Sequence, residues 1–455
     1  MNELFIKQFF SEKGELSQSI EDYRLRQEQV DISVLIDEAI TNKKKLIVEA
    51  GTGIGKTFAY LVPAFLSGGK IIISTATKNL QDQLFTKDIP MIRDALNVPV
   101  TLAMLKGRSN YLCHLRLENA MIEGAFMTKE DVTYLHLVNQ HAKHSMDGDR
   151  SELDTIPESS SIWPQVTSTK ENCLGQDCSF YKECFVMNAR KKALTADVTI
   201  VNHHLFFADL NMKEEGISEL LPKATTVIFD EAHQIPDIAS IFFGKNVSTA
   251  QISEIVQDGY QIYLKHMKDV SDFETILNDL EKANKDFRLV FPRESNRYPY
   301  QKISTFSRFD SAYENLIEKL KTLIQLLAHH KDRDTEIEKY FDSSNEILSN
   351  FDNWRDDKDN NSIKWVEVYS QSVQLNNTPL SIADMFAKHI NNELTSWIFT
   401  SATLAVKNNF DHFKSQLGLT DADSVSKESP FNYAEKALLF VPKLMPDANP
   451  ENYNF

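Results

Sequence analysis

The sequence of 455 residues has only four cysteines and no long apolar run. Its apolar stretches, such as residues 227–229, fall far short of the roughly 20 residues that span a bilayer, so no transmembrane helix is expected. The first residues include acidic side chains and lack a sustained apolar core, so they do not predict a secretory signal. We therefore expect a cytoplasmic protein, in which clustered cysteines are more often metal ligands than disulfides.

Net positive charge is also lacking. The formal net charge is −16, which argues against a generally basic nucleic-acid binder but leaves room for a local basic groove. Residues 287–309 combine cations with aromatic rings, a composition that suits single-stranded nucleic acid. The alternative interpretation is a solvated hairpin with a few core aromatics. The cations and rings concerned are Arg288, Arg293, Arg297, Lys302, Arg308, Phe291, Tyr298, Tyr300 and Phe306.

The composition, with 42% hydrophobic and 25% charged residues, is that of a globular protein of two or three domains. Short apolar strands alternate with helices, a pattern typical of a parallel sheet covered on both faces, here a RecA-like α/β fold. Residues 104–195 and 245–390 interrupt the pattern. The first stretch holds all four cysteines, the second is mostly helical, and both are predicted to be insertions. Strands are predicted at 46–49, 70–74, 98–103, 196–204, 225–233 and 396–404.

A phosphate-binding loop is predicted from AGTGIGKT, which lies between an apolar strand and a helical stretch at 58–66. Its small residues let backbone N–H groups surround phosphates at the start of a helix. Lys56 is expected to reach the β- and γ-phosphates of ATP, and Thr57 to bind Mg²⁺. The predicted ATP-binding residues of the loop are Ala50, Gly51, Thr52, Gly53, Ile54, Gly55, Lys56 and Thr57.

The complementary acidic groups are predicted from DEAH at the end of an apolar strand. Asp230 is expected to hold Mg²⁺ and Glu231 to polarise the attacking water, because phosphoryl transfer depends mainly on positioning and charge neutralisation. Because the TSAT motif at 400–403 is also present, His233 is interpreted as a relay between the nucleotide state and the grip on DNA. A locally hydrogen-bonded residue at a helix start is the alternative for His233.

Tyr23, Arg26 and Gln29 stand at YxxRxxQ spacing before the first strand. Glutamine can bond an adenine edge, and tyrosine can stack on the ring, so these residues are further candidates for ATP binding. A polar helix start explains the same residues without a nucleotide.

The four cysteines, Cys113, Cys173, Cys178 and Cys184, are spaced C-x59-C-x4-C-x5-C. Structural zinc usually uses two close pairs, whereas one distant and three nearby thiolates better suit a 4Fe-4S cluster. Zinc and free buried cysteines remain the alternatives.

Together these motifs resemble those of the bacterial DinG and YoaA helicases, which are related to the eukaryotic XPD helicase. The resemblance runs through YRLRQEQ, EAGTGIGKT, STATKNLQDQL, LKGRSNYLC, CLGQDCSFYKEC, ADVTIVNHHLF, VIFDEAH, FTSATL and SPFNYAEKALLFVPKLMPD. It implies an ATP- and Mg²⁺-dependent superfamily 2 motor that moves 5′ to 3′ on single-stranded DNA, with forked or tailed duplexes as partners in repair or replication. It further implies a 4Fe-4S domain and an arch domain, both inserted into the first RecA-like lobe. The four cysteines argue against a DEAH-type RNA helicase.

The resemblance also implies a division of the chain and a set of DNA-binding or coupling residues. The implied parts are lobe 1 at 1–103, the cluster insertion at 104–195, the DEAH part of lobe 1 at 196–244, the arch at 245–390, the end of lobe 1 at 391–425 and the start of a second lobe at 426–455. The implied DNA-binding or coupling residues are Thr75, Thr77, Gln81, Asn202, His203, Thr400, Ser401 and Thr403.

One departure from the family pattern concerns the second lobe. Only 52 residues follow Thr403, too few for a second RecA-like lobe with an arginine finger. We therefore expect this chain to lack most of that lobe. The alternative function is then a non-processive DNA-binding module with little ATPase activity.

Overall fold

The computed structural model describes residues 2–123, 129–170, 172–214, 220–303, 305–355, 362–379, 382–391 and 394–431, together with 435 and 438. Most of the predicted second-lobe segment at 426–455 therefore lies outside the described residues. Strands and helices are numbered here in chain order. The strands are β1 (Lys45–Ala50), β2 (Ile71–Thr75), β3 (Leu102–Met104), β4 (Val198–Asn202), β5 (Thr226–Asp230), β6 (Lys245–Ser248), β7 (Asn296–Pro299), β8 (Ser362–Val368), β9 (Val373–Pro379), β10 (Ser396–Ser401) and β11 (Asp423–Lys427).

The helices surround these strands and also form most of the two long connections. They are α1 (Glu3–Phe9), α2 (Glu15–Ser19), α3 (Gln27–Thr41), α4 (Lys56–Leu66), α5 (Lys78–Gln83), α6 (Ile89–Leu96), α7 (His114–Glu123), α8 (Lys129–His144), α9 (Trp163–Val166), α10 (Phe185–Thr195), α11 (His203–Glu214), α12 (Ile235–Phe243), α13 (Thr249–His266), α14 (Phe273–Arg288), α15 (Tyr300–Ile303), α16 (Phe309–Ala328), α17 (Thr335–Arg355), α18 (Ala383–Ile390) and α19 (Asp411–Leu417). In the described part of the chain, none of these helices combines the length and apolar character that a bilayer crossing requires.

The main sheet has seven parallel strands in the order β11-β1-β10-β5-β2-β4-β3. Its central strands β2, β5 and β10 are buried along their whole length, as expected for a parallel sheet with helices on both faces. The predicted RecA-like α/β fold is confirmed. Because all strands are parallel, the carboxyl ends of β1, β5 and β10 meet at one edge of the sheet.

The connection between β3 and β4 contains the four cysteines and packs directly on the sheet domain. Leu112, Trp163 and Phe185 from this connection belong to the same hydrophobic core as Phe229 and Phe399 of β5 and β10. The insertion therefore shares apolar packing with the central strands. We call it the cluster insertion.

The connection between β5 and β10 has a hydrophobic core of its own, formed by residues from Val247 to Leu375. Four long helices, α13, α14, α16 and α17, pack against an antiparallel sheet in the order β6-β9-β8-β7. The predicted helices are present, but the sheet was not predicted. Strand β9 reads VQLNNTP, whose polar residues conceal the burial of Val373 and Leu375. We call this connection the arch insertion, and its exact limits stay a prediction.

Candidate functional site

The predicted phosphate loop joins the end of β1 to the start of α4. Gly53 and Gly55 both have φ of +87°, a backbone conformation that glycine adopts without strain. A side chain at Gly53 would also collide with the ring of Phe431. Gln29 Nε2 donates to the carbonyl of Gly55 at 2.9 Å, and the Gly51 amide donates to the Lys427 carbonyl at 3.0 Å. Segments before and after the loop therefore hold its shape.

Lys56 and the two predicted acidic residues meet beside this loop. Lys56 Nζ lies 3.4 Å from Glu231 Oε1. Asp230 is 6% exposed, and burial, together with the charge of Glu231, raises its pKa to about 7 against the opposing influence of Lys56. A divalent cation would stabilise the ionised form of this buried carboxylate. The oxygen donors of Thr57 and Asp230 suit Mg²⁺ chemically, and their role as its ligands stays a prediction.

The TSAT motif contacts Glu231 through Ser401, the last residue of β10. Ser401 Oγ donates to Glu231 Oε2 at 3.2 Å and lies 2.8 Å from His233 Nδ1. Since a hydroxyl has one hydrogen, His233 must donate from Nδ1 when Ser401 donates to Glu231. Glu231 has φ of 57°, an uncommon conformation for a residue other than glycine. The structure thus brings together Lys56, Glu231, Ser401 and His233.

Most of the predicted DNA-binding or coupling residues are buried. His203 Nδ1 lies 2.7 Å from Ser74 Oγ, and burial lowers the pKa of His203 to about 3, so this imidazole is neutral. Asn202 is half-buried, and its Oδ1 accepts from the Leu205 amide at 2.8 Å. A fully buried side chain cannot touch a DNA strand, which favours coupling over contact for most of this set. The buried members are Thr75, Gln81, His203, Thr400 and Ser401, and the exposed members are Thr77 and Thr403.

The three predicted adenine-binding residues differ in what they contact. The Tyr23 hydroxyl donates to the Phe10 carbonyl at 2.6 Å, and Arg26 is half-buried. Gln29 is 1% exposed and uses its amide nitrogen on the phosphate loop. Their adenine contact stays a prediction.

Sequence reasoning missed one charged residue at this site. Glu49 is the penultimate residue of β1 and accepts hydrogen bonds from the segment that follows TSAT. A carboxylate inside the apolar run LIVEA was the signal that could have identified it.

None of the four cysteines takes part in a disulfide in the described residues, and each is half-buried. Burial raises the pKa of Cys113 to about 11, and the nearby sulfurs of Cys173 and Cys178 act in the same direction. In the described part of the chain, no three of the four sulfurs lie within 4.8 Å of one another. Tetrahedral zinc with Zn–S distances of about 2.3 Å requires sulfurs about 3.8 Å apart. Which metal or cluster the four cysteines hold stays a prediction.

The basic and aromatic segment at 287–309 contains both buried and exposed residues, and its contact with DNA stays a prediction. Arg288 is buried and donates to the carbonyls of Phe291 and Pro292 at 3.1 and 3.0 Å. Phe291 is buried in the core of the arch insertion, and Tyr298, Tyr300 and Phe306 are half-buried and pack against that core. This packing favours the interpretation as a hairpin with core aromatics. Of the cations, Arg293, Arg297, Lys302 and Arg308 are exposed.

Comparison with known proteins agrees with this geometry. Residues 33–149 match the DEAD/DEAH box helicase family. The ATP-dependent DNA helicase YoaA of Haemophilus influenzae is 42% identical over 448 residues, which cover 98% of this chain and 70% of that protein. YoaA of Escherichia coli is 38% identical over 440 residues, covering 97% of this chain and 69% of that protein.

A solved structure of a truncated XPD is 16% identical, with a TM-score of 0.41, and its match covers 87% of this chain and 99% of that one. From the extent and identity of the YoaA matches, the chain belongs to the family of YoaA and DinG ATP-dependent DNA helicases, as its motifs had predicted.

Proposed function

We propose that this chain couples ATP hydrolysis to 5′ to 3′ movement on single-stranded DNA and separates duplexes in repair or replication. The observation that carries the proposal is the line of contacts from Lys56 through Glu231 to Ser401 and His233. These contacts connect the residue that is predicted to reach the phosphates with the motif that is predicted to couple to DNA. The direction of movement rests on the family resemblance.

The hydrolysis step follows from the Lys56–Glu231 pair. When a nucleotide enters, its phosphates compete with Glu231 for the Lys56 ammonium, because both are anionic partners at close range. Glu231 then loses its cation and is available to polarise a water molecule. Mg²⁺ held by Thr57 and Asp230 would neutralise charge on the phosphates.

Coupling to DNA follows from the hydroxyl of Ser401. A change in the charge environment of Glu231 alters the acceptor that Ser401 faces, and His233 shares that hydroxyl. Ser401 lies two residues before the exposed Thr403. The TSAT segment is thus positioned to transmit the nucleotide state to a surface that DNA or another lobe can reach.

The cluster insertion completes the proposed motor. Cys113, Cys173, Cys178 and Cys184 would hold a 4Fe-4S cluster, which would join distant parts of the insertion and could also carry an electron. The thiols come from the start and the end of the insertion. The cluster would therefore close it at its base.

The test is strand displacement with 5′-tailed and 3′-tailed duplexes of the same sequence at one salt concentration. We expect ATP-dependent displacement of the 5′-tailed duplex alone, and loss of turnover in Lys56→Ala. Lys44→Ala, just before the opposite end of β1, is the matched control and should keep the wild-type rate. Binding of tails without displacement or ATP turnover would instead identify a DNA-binding module.

A further inference from the structure

Glu49 lies in one row with two serines across three neighbouring strands. In the sheet register, Glu49 of β1 pairs with Ser401 of β10 on one side and with Ser426 of β11 on the other. Side chains of paired residues in a sheet project to the same face. Glu49 therefore stands beside the serine that contacts Glu231.

Both carboxylate oxygens of Glu49 are engaged. Oε2 accepts from the backbone amides of Leu404 and Ala405, each at 2.6 Å, and Oε1 accepts from Ser426 Oγ at 2.9 Å. Hydrogen bonds to an ionised acceptor are short and about twice as strong as neutral ones. Two of these bonds attach the segment after TSAT to the carboxyl end of β1, and the third attaches β11 there.

This attachment fixes the TSAT segment at its second end. Its first end is held where Ser401 contacts Glu231 and His233, and its second end is held by Glu49 at Leu404 and Ala405. A tight turn follows directly, with Lys407 and Asn408 at φ of 52° and 61° and a bridge between Val406 and Asn409. Exposed Thr403 is thereby held between two anchored points.

We infer that Glu49 is a positioning residue for ATP hydrolysis. Through Leu404 and Ala405 it sets the position of Ser401, and Ser401 in turn orients Glu231 toward the attacking water. Glu49 also lies next to the phosphate loop, so this anchor ties TSAT to the loop itself. The inference deepens the proposed function and rests on it, since it concerns the same hydrolysis step.

The test compares Glu49→Ala with Glu49→Gln in the full chain. Alanine removes every acceptor, whereas glutamine keeps one carbonyl oxygen for the two amides and an NH₂ group for Ser426. We expect Glu49→Ala to lower the kcat of DNA-stimulated ATP hydrolysis about tenfold with the KM for ATP within about twofold, the pattern of an interaction needed in the transition state. Glu49→Gln should restore kcat to within about threefold of the wild-type value.

Amide hydrogen exchange provides a readout independent of turnover. In Glu49→Ala, the amides of Leu404 and Ala405 should exchange at least about tenfold faster, because their acceptor is gone. Ser426→Ala is the matched control, since it removes only the third bond and should leave these amides and kcat within about twofold of wild type.

Two results would overturn the inference. Unchanged kcat in Glu49→Ala, with a lower melting temperature, would show that Glu49 is only structural. A raised KM with unchanged kcat would show that Glu49 serves nucleotide binding instead. Failure of the proposed function is a different result, because the wild-type chain itself would then show no DNA-stimulated turnover.

Discussion

The two insertions differ in how they join the sheet domain. The cluster insertion contributes Leu112, Trp163 and Phe185 to a core that also contains Phe229 and Phe399 of the central strands. The arch insertion buries its own set of residues, including Leu320 and Phe351, in a separate core. The cluster insertion therefore shares a core with the sheet domain, whereas the arch insertion is attached to that domain and has a core of its own.

This difference predicts how a disturbance spreads. Residues that share one close-packed core transmit volume changes to one another, so damage to the cluster insertion should reach β5 and β10. An element with its own core can open as a separate cooperative unit. The arch should therefore unfold or move while the nucleotide site stays intact.

The largest expected effect is the loss of a predicted cluster ligand. Cys113→Ser should remove the visible absorbance of the cluster and lower the free energy of unfolding of the sheet domain by at least about 3 kcal/mol, because metal-ligand bonds contribute directly to folding. Iron content and denaturant unfolding measure both. Loss of iron without any change in the exchange of β5 and β10 amides would contradict the shared core.

The second effect tests the separate core. Phe351→Ala should lower the free energy of unfolding of the arch insertion by about 3–5 kcal/mol, since a fully buried ring is replaced by a cavity. Hydrogen exchange should increase in α16 and α17 but not at Trp397, Ile398 and Phe399 of β10. Phe399→Ala is the matched control and should increase exchange in the sheet domain. Equal increases in both regions for Phe351→Ala would show that the arch is not independent.

The third effect concerns the buried Lys106, which pairs with Asp149 inside the cluster insertion and with Asp82 of α5, the helix after β2. Lys106 Nζ lies 2.7 Å from Asp149 and 2.8 Å from Asp82. Lys106→Met should destabilise the sheet domain by about 2–3 kcal/mol, because it leaves a buried carboxylate without its cation. Denaturant unfolding measures the loss, and Asp149→Asn combined with Lys106→Met should recover part of it.

The same pair sets a dependence on pH. Burial alone would raise the pKa of Asp149, but the hydrogen bonds from Lys106 and Ser151 outweigh it and hold this pKa below its ordinary value. The stabilisation is therefore complete above about pH 4 and is lost as the pH falls through the lowered pKa. The melting temperature of wild type minus that of Asp149→Asn should shrink in this acid range.

The smallest expected effect concerns an ion pair between the two insertions. Arg116 donates to Asp258 of the arch insertion and to the Pro164 carbonyl of the cluster insertion. Arg116→Ala should lower the free energy of unfolding by about 1 kcal/mol, because both charged side chains are only partly exposed. The exposed pair Lys170–Glu346 is the matched control, and Lys170→Ala should change stability by less than about 0.5 kcal/mol. Double-mutant cycles for the two pairs provide the measurement.

Much of the fold could be predicted because local signals agreed with it. The apolar run of β1, the glycines after it and the start of α4 specify strand, loop and helix within a few residues. Strand β11 reads DSVSK and has no apolar pattern, and it is a strand because it pairs with β1 at the edge of the sheet. Its identity therefore depends on tertiary contacts.

The site was predictable residue by residue but not as an arrangement. Lys56, Asp230 and Ser401 each lie in recognisable motifs, yet the contact of Glu231 with both Lys56 and Ser401 depends on strand order. Spacing along the chain does not specify that β10 lies between β1 and β5. The same limit applies to the cysteines, whose sequence spacing does not determine how far apart their sulfurs lie.

The position of β1 between β10 and β11 also governs how the protein is made. Glu49 and the amide of Leu404 are separated by 355 positions along the chain, so β1 leaves the ribosome long before either neighbouring strand exists. Loop closure over such a distance is slow, whereas the arch core forms within residues 247–375. The arch can therefore fold during synthesis, and the nucleotide site is assembled last. Until β10 and β11 are made, both edges of β1 are unpaired beside the phosphate loop. An unpaired strand edge can pair with another chain, so a chaperone is most useful at this stage.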